Sequence, residues 1–600
     1  MKHWSAWLGT ALIAACALAR ADQTLTEPLL PEADSGSSFK PGWQTGQFAV
    51  ASANPLASEA GYQILKAGGS AVDAAIAVQM VLGLVEPQSS GIGGGAFLLH
   101  FDGKKNTQAF DGRETAPSTV DEKLFIGADG RPLPFQTALV GGRAVGVPGL
   151  IPMLAQAHRQ HGKLPWATLF SPAIALAEQG FAVSERLHTL ITKDAHLAKD
   201  PVAAAYFYLP DGKPLPIGHR LKNPEYAAVL RQIATQGEAG FMQGDTARAM
   251  VTAVQGHALN PGQLNLADLA RYQAKERPPL CVDHATANKI YQICGMPPPS
   301  SGAIAIAQIL GLLAHTSANA LLFDGTPSVD WLHLYTEAAR LAFADRALYA
   351  ADPDFVAAPG GDWMRLLNQP YLAERARLIG PSANPSPPAG TLSVIKTSFA
   401  PMPDQPEYGT SHISIADAQG NVLAMTSSIE AAFGARLMVN RGQGLAGGFL
   451  LNNQLTDFSF SPADAKGTPI ANRVQPGKRP RSSMSPTLVF DKATGQLLMS
   501  LGSSGGAFII HFTAKTLYAL MHWGLNAQQA INLPNFGLSE RRAVLLETGR
   551  FDASTVQALQ ALGHTPTQQP LTSGLQAIQR TPQGWFGGAD PRREGIVLGD

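Results

Sequence analysis

Apolar residues recur at helical spacing over most of the first half of the chain, then switch to alternate positions in the second. After a polar lead over residues 22–47, the region to residue 349 reads as one core-forming block rich in helices. Residues 71–84 are Ala-rich and apolar with helical period, and Ser70 stands where an N-cap belongs. Helical runs recur at 149–160, 171–179, 226–235, 303–314 and 329–349, with strand-like stretches at 96–101 and 107–110. No fixed period of self-similarity links them. Residues 381–409 then hold seven prolines among Ser, Thr and Gly, a texture that cannot sustain regular structure and should be exposed. Immediately after it the pattern alternates over 410–417, turns at Gly420-Asn421 and returns over 422–428, which predicts a hairpin. Further strands are predicted at 448–452, 487–491 and 496–501, followed by an apolar helix over 507–523.

Composition narrows the class of function. Six hundred residues with 45% hydrophobic content suffice for a large core. Lys plus Arg and Asp plus Glu both number 45, and no run of five like charges occurs, so neither nucleic acid nor an anionic membrane surface is indicated as a partner. A small molecule is the better expectation. Met1-Lys2-His3, the apolar run over 4–18 and Ala19-Arg20-Ala21 read as a signal peptide over 1–21, implying export to the periplasm. Ile13-Ala14-Ala15-Cys16 also fits a lipoprotein signal, in which Cys16 would carry the lipid anchor. No other apolar stretch is long enough to span a bilayer. The remaining cysteines, Cys281 and Cys294, lie on two strand-like segments, 279–284 and 289–294, whose hairpin would set the sulfurs nearly opposite. A disulfide is expected, with two buried free thiols as the alternative.

The junction at residue 410 carries the chemistry. A hydroxyl residue opening a strand, preceded by glycine and a proteolytically soft segment, is what an autocatalytic N-terminal nucleophile requires. Thr410 Oγ could attack the Gly409 carbonyl, and the α-amino group freed by cleavage, with an ordinary pKa of about 8, could then serve as general base for its own hydroxyl. Taken alone, an ordinary strand threonine is the better explanation of the position.

The surrounding motifs decide between these readings. They include Gly68-Gly69-Ser70-Ala71-Val72-Asp73, Ser90-Gly91-Ile92-Gly93-Gly94-Gly95, Arg113-Glu114-Thr115-Ala116-Pro117 and Pro297-Pro298-Pro299-Ser300-Ser301-Gly302. Gly409-Thr410-Ser411-His412, Leu451-Asn452-Asn453-Gln454, Asp457-Phe458, Arg481-Ser482-Ser483-Met484-Ser485-Pro486 and Gly505-Gly506 follow in order. Together they resemble the γ-glutamyltranspeptidase family over most of the chain. The resemblance implies an α+β fold, the four-layer αββα sandwich of N-terminal-nucleophile hydrolases. It also implies a precursor cut between Gly409 and Thr410 into a large subunit (22–409) and a small one (410–600) that form one heterodimer. Thr410 matches the family nucleophile, Ser428 its supporting hydroxyl, and Gly505 and Gly506 the oxyanion-hole donors. The hairpin arithmetic independently brings Ser428 within about one residue of a position opposite Thr410. Arg113, Ser482 and Ser483 match the groups that hold the substrate α-carboxylate, and Gln454 and Asp457 those that hold its α-ammonium. Glu430 stands where the family commonly has asparagine, and Ala507-Phe508 where it has a more polar pair, which leaves the donor open between γ-glutamyl compounds and glutaryl-type amides. The family needs no metal or organic cofactor. Glutathione is the natural donor to test, with water, amino acids or dipeptides as acceptors. Residues 461–478 align with the family's lid loop.

Other readings compete. Gly502-Ser503-Ser504-Gly505-Gly506 also fits a nucleophile elbow, with Asp552 and His564 following in serine-hydrolase order. A periplasmic amino-acid or peptide-binding protein would likewise suit Arg113 with Asp457. The glycines of 91–95 lack the lysine of a P-loop and read as close backbone packing. His412 and Asp73 read at least as well as buried structural groups as catalytic ones.

Overall fold

The computed structural model describes residues 36–318, 322–323, 325–392, 398–539 and 543–600; the predicted leader 1–21 and Cys16 lie outside the described residues. Two seven-stranded antiparallel sheets face each other at the centre. The first runs Ile596–Gly599, Ala49–Ser52, Ser411–Ala416, Val422–Ser428, Gly95–Phe101, Thr107–Gly112, Lys275–Arg277. The second runs Trp43–Thr45, Gly584–Ala589, Gln576–Thr581, Leu497–Gly502, Thr487–Asp491, Ile290–Gly295, Leu280–Ala285.

Period-two patterning sorts the side chains into layers. From Gly95–Phe101, Phe97, Leu99 and Phe101 join the inter-sheet core with Leu488, Phe490 and Ile578, while Ala96 and Leu98 face the outer helices. Complete burial of each large side chain contributes about 1.5–3 kcal/mol. The helices Pro55–Lys66 and Ala71–Val85 pack on the outer face of the first sheet. Gly302–Leu313, Val329–Tyr349 and Phe508–His522 cover the second. The result is the four-layer αββα sandwich expected. Ala71–Val85 is apolar on every side because it is buried on every side, and its first turn is closed by a capping box. In that box Ser70 accepts from the Asp73 amide, while the Asp73 carboxylate accepts from the Ser70 amide.

Cys281 and Cys294 are register partners in the hairpin and are joined as a disulfide, with Cα atoms 4.0 Å apart. The glycine run packs closely, as its composition suggested. A side chain at Gly93 would collide with the Leu450 carbonyl, and one at Gly94 with that of Ser428. The proline-rich segment departs from expectation at its downstream end. Its described residues form no helix, and residues 382 and 385–386 are exposed, yet Met402, Gly409 and Thr410 are buried. Gln405 Nε2 donates to the Phe458 carbonyl at 2.8 Å, Ala400 bridges to Ile470, and the chain is thereby drawn into the protein. Among the described residues no helix is long and apolar enough to cross a membrane.

Candidate active site

Thr410 sits at the head of the strand Ser411–Ala416, in the middle of the first sheet. The hairpin pairs Ser411 with Ser427, so continuing the register sets Thr410 opposite Ser428. Its φ of 152° lies where a β-branched residue is strained, and Gly409 beside it has φ 49°. The peptide between them therefore carries stored strain and is buried. Ser428 Oγ accepts from the Glu430 amide at 2.8 Å, which helps hold Glu430 at φ 74°, a second strained non-glycine position.

Gly505 and Gly506 have φ of 129° and 55° and lead into the helix Phe508–His522, where amide groups point outward unpaired by the helix itself. A side chain at Gly506 would collide with the Glu407 carbonyl, so only glycine lets the segment before Thr410 lie against this turn. Glu407, on that segment, is paired with Arg346 Nη2 at 2.5 Å, Arg481 Nη2 at 3.3 Å and the Ser483 hydroxyl. Burial alone would raise its pKa, but the two guanidinium groups hold it down to about 2. Arg481 is itself lowered to about 10 by burial and by the neighbouring Arg346.

Of the residues predicted to hold a carboxylate, Ser483 does so with Glu407. Ser482 Oγ accepts from the Met484 amide at 3.1 Å, while its carbonyl accepts from Ser301 Oγ at 2.7 Å. Arg113 lies wholly buried against Asp457, with further donation to the carbonyls of Pro480 at 3.2 Å and Arg481 at 2.9 Å. The predicted ammonium groups also converge: Gln454 Nε2 donates to Asp457 Oδ2 at 2.9 Å. Burial pushes the Asp457 pKa up against the pull of Arg113. Glu430 Oε1 accepts from the Tyr408 amide at 3.0 Å. Burial and then the Asp457 charge push its pKa well above the ordinary range. Among the described residues, Arg113 Nη1, Gln454 Oε1, Asp457 Oδ1 and Glu430 Oε2 are buried without a hydrogen-bond partner. A zwitterion offers the complement.

Sequence reasoning missed Arg346, Arg481 and Glu407. Arg481 stood inside a quoted motif, but nothing along the chain showed that Glu407 would meet it.

The serine-hydrolase arrangement does not assemble. Ser504 Oγ accepts from Arg593 Nη2 at 2.9 Å, Asp552 caps the helix Ala553–Ala561 in solvent, and His564 is hydrogen-bonded to His333 at 2.7 Å and Arg340 at 3.2 Å. His333, Glu337 and His564 approach closely enough to suggest a metal site. However, His333 also bonds the Gly380 carbonyl and Arg340 occupies both Glu337 and His564, so hydrogen bonds explain the cluster. His412 is structural as well: it bonds Thr426 Oγ1 at 2.8 Å and Ser414 Oγ at 3.0 Å, and burial lowers its pKa to about 3.

The profile of the family described as gamma-glutamyltranspeptidase matches residues 57–599. A glutathione hydrolase proenzyme from Bacillus subtilis (strain 168) is 35% identical over 92% of this chain and 91% of its own length. An acylase, ACY 1 proenzyme, from Pseudomonas sp. (strain V22) is also 35% identical, over 90% and 91%. The crystal structure of a cephalosporin acylase from Bacillus halodurans superimposes with a TM-score of 0.79 at 27% identity, covering 95% of this chain and 99% of that one. With matching motifs, matching layers and a buried threonine at the head of the central hairpin, the chain belongs to the gamma-glutamyltranspeptidase family.

Proposed function

We propose that the chain is the precursor of a γ-glutamyltransferase and glutathione hydrolase, cut between Gly409 and Thr410 into a large (22–409) and a small (410–600) subunit that stay together as a heterodimer. The observation that carries the reading is the strained, buried Gly409-Thr410 junction at the head of the central hairpin, opposite Ser428 and beside the segment that lies on Gly506. In processing, Thr410 Oγ attacks the Gly409 carbonyl as its proton is taken up by the departing Thr410 nitrogen. The ester so formed is opened by water, which leaves a carboxylate on Gly409 and a free amine on Thr410.

In turnover, that amine accepts the Oγ proton as Oγ attacks the γ-carbonyl of the donor. The Gly505 and Gly506 N–H groups stabilise the oxyanion, the leaving amine receives the proton, and a γ-glutamyl ester remains on Thr410. Water or the amine of an amino acid or dipeptide then takes the acyl group. Ser428 supports Oγ, Arg113, Ser482 and Ser483 form the expected carboxylate side, and Gln454, Asp457 and Glu430 the ammonium side. The leader over 1–21 fits export to the periplasm.

A second reading, a glutaryl-type amidase, is favoured by one feature: the acylases among the relatives match over about as much of the chain as the glutathione hydrolase does, 90% and 95% against 92%. Purified protein should run as two polypeptides, the smaller beginning at Thr410. Thr410→Ala should leave one uncut band with activity down by about 10⁴-fold or more. Turnover of γ-glutamyl and glutaryl anilides, with and without an acceptor dipeptide, separates the two substrates. A single inactive wild-type band would overturn the proposal.

A further inference from the structure

Glu86 closes the helix Ala71–Val85, where a carboxylate faces the negative end of the helix dipole, and it is 1% exposed. Position and burial both disfavour a charge there, so it calls for a partner. Arg186, itself 1% exposed in the first turn of the helix Glu185–Lys193, is that partner, with Nη1 3.1 Å from Glu86 Oε1. Arg186 Nη2 also donates to Ser89 Oγ at 3.3 Å. The carbonyls of Ser89 and Gln88 accept from the amides of Ile429 and Phe433, so the same pair braces the loop that carries Glu430. The other carboxylate oxygen, Glu86 Oε2, accepts from Ser411 Oγ at 3.3 Å. Ser411 is the residue after Thr410. Ile413 and Ile415 on its strand join the core under the outer helices, whereas Ser414 meets Ser500 of the opposite sheet, so by alternation Ser411 points towards the helices and Thr410 away from them. The strand head is thus gripped from the face opposite the nucleophile.

The grip matters most once the chain is cut. In the uncut chain Thr410 is held by a peptide bond on each side. With the bond to Gly409 severed it becomes a chain end with one covalent neighbour, and chain ends fray. The first ladder residue behind it is Ser411, opposite Ser427. We infer that Ser411, Glu86 and Arg186 are positioning residues that keep the N-terminal threonine in place after processing. Ser411 fastens the strand head, Glu86 offers a charged acceptor, which binds a hydroxyl more firmly than a neutral one, and Arg186 balances that charge in the interior. This rests on the proposed cut and nucleophile, and adds that the aim of the nucleophile is set from the helix side of the sheet.

Two measurements test it. In processed enzyme, Ser411→Ala should lower kcat and kcat/KM together by about tenfold, the size of a lost charge-assisted contact, for whichever anilide the wild type turns over, with KM unchanged and the cut complete. Ser411→Thr, which keeps the hydroxyl, should restore the rate. By hydrogen exchange, the amides at the head of Ser411–Ala416 should exchange faster with Ser411→Ala than without it in the cut enzyme, and equally fast in the uncut Thr410→Ala background. A cut Ser411→Ala enzyme with the wild-type kcat would overturn the inference, as would Ser411→Thr being as slow as Ser411→Ala. So would a Ser411→Ala chain that stays uncut, or exchange that quickens just as much in the uncut background, since a contact that only supports the fold predicts both. A cut wild type that turns over no anilide is a failure of the proposed substrate, and exchange alone then decides. A wild type that stays uncut has no free threonine to hold and overturns the proposed reaction and this inference together.

Discussion

Glu407 and Glu430 enter one site from two regions, the segment before Thr410 and the loop after Val422–Ser428; Glu430 is buried and the Glu407 side chain is 9% exposed. Glu407 is held at about 2 by Arg346 and Arg481, whereas Glu430 is pushed well above the ordinary range by burial and by Asp457. Burial opposes ionisation in both cases. What separates them is the company each keeps: guanidinium groups on one wall, carboxylates on the other. The site is thus divided between a wall rich in guanidinium groups and a wall rich in carboxylates.

Either wall can be disrupted by substitution in the uncut Thr410→Ala protein. Glu407→Gln leaves Arg346 and Arg481 buried without their shared anion and should lower unfolding free energy in urea by about 4 kcal/mol near neutral pH. Because the folded pKa is depressed, that stability is present above the ordinary carboxylate value. The gap between variant and parent should therefore close as pH falls from about 4.5 towards about 2. Asp457→Asn should cost less, about 3 kcal/mol, since it strips one arginine of its charged partner; the adjacent Glu114, raised by burial to about 8, is protonated near neutral pH and does not replace it. Glu430→Gln should have the smallest effect and the opposite sign. With its pKa raised, the folded state holds a proton that the unfolded chain releases, so stability falls as pH rises through that window. The neutral isostere should gain about 1 kcal/mol near pH 8 and nothing below about pH 4, as read by thermal melts. A loss on Glu430→Gln as large as that on Glu407→Gln would show that the two walls do not differ.

Much of this architecture was legible because it is local or periodic. Alternation and a Gly420-Asn421 turn sufficed to bring Thr410 and Ser428 together, and helical period with Ser70 located Ala71–Val85 to within a residue at its end. The cysteine pairing followed from the same hairpin logic. What escaped depends on contacts across hundreds of residues. Nothing near Glu407 in the chain announces Arg346 or Arg481, and a proline-rich segment reads as exposed whether or not its final residues are threaded into a pocket. Arg113, Ser482 and Ser483 were readable as a carboxylate site by residue type, whereas the contact of Arg113 with Asp457, hundreds of residues away, was not. The short strands Gln576–Thr581, Gly584–Ala589 and Ile596–Gly599 were likewise unread, since they are recognisable only by the partners they find in the sheets.

Those sheets alternate between the two sides of the 409–410 junction. Ser411–Ala416 lies beside Ala49–Ser52, Val422–Ser428 beside Gly95–Phe101, and Thr487–Asp491 beside Ile290–Gly295. Severing the backbone there leaves every one of these ladders whole, so the folded molecule scarcely registers the cut, but it changes the molecularity of unfolding. An intact chain unfolds to one coil and can search for its fold alone, at any dilution. The severed one releases two coils that must meet again, so its stability acquires a dependence on protein concentration and its refolding a second-order step. Processing would then act as a ratchet, in which the chain folds once as a single molecule and is afterwards held together by persistence of the fold rather than by the ease of regaining it.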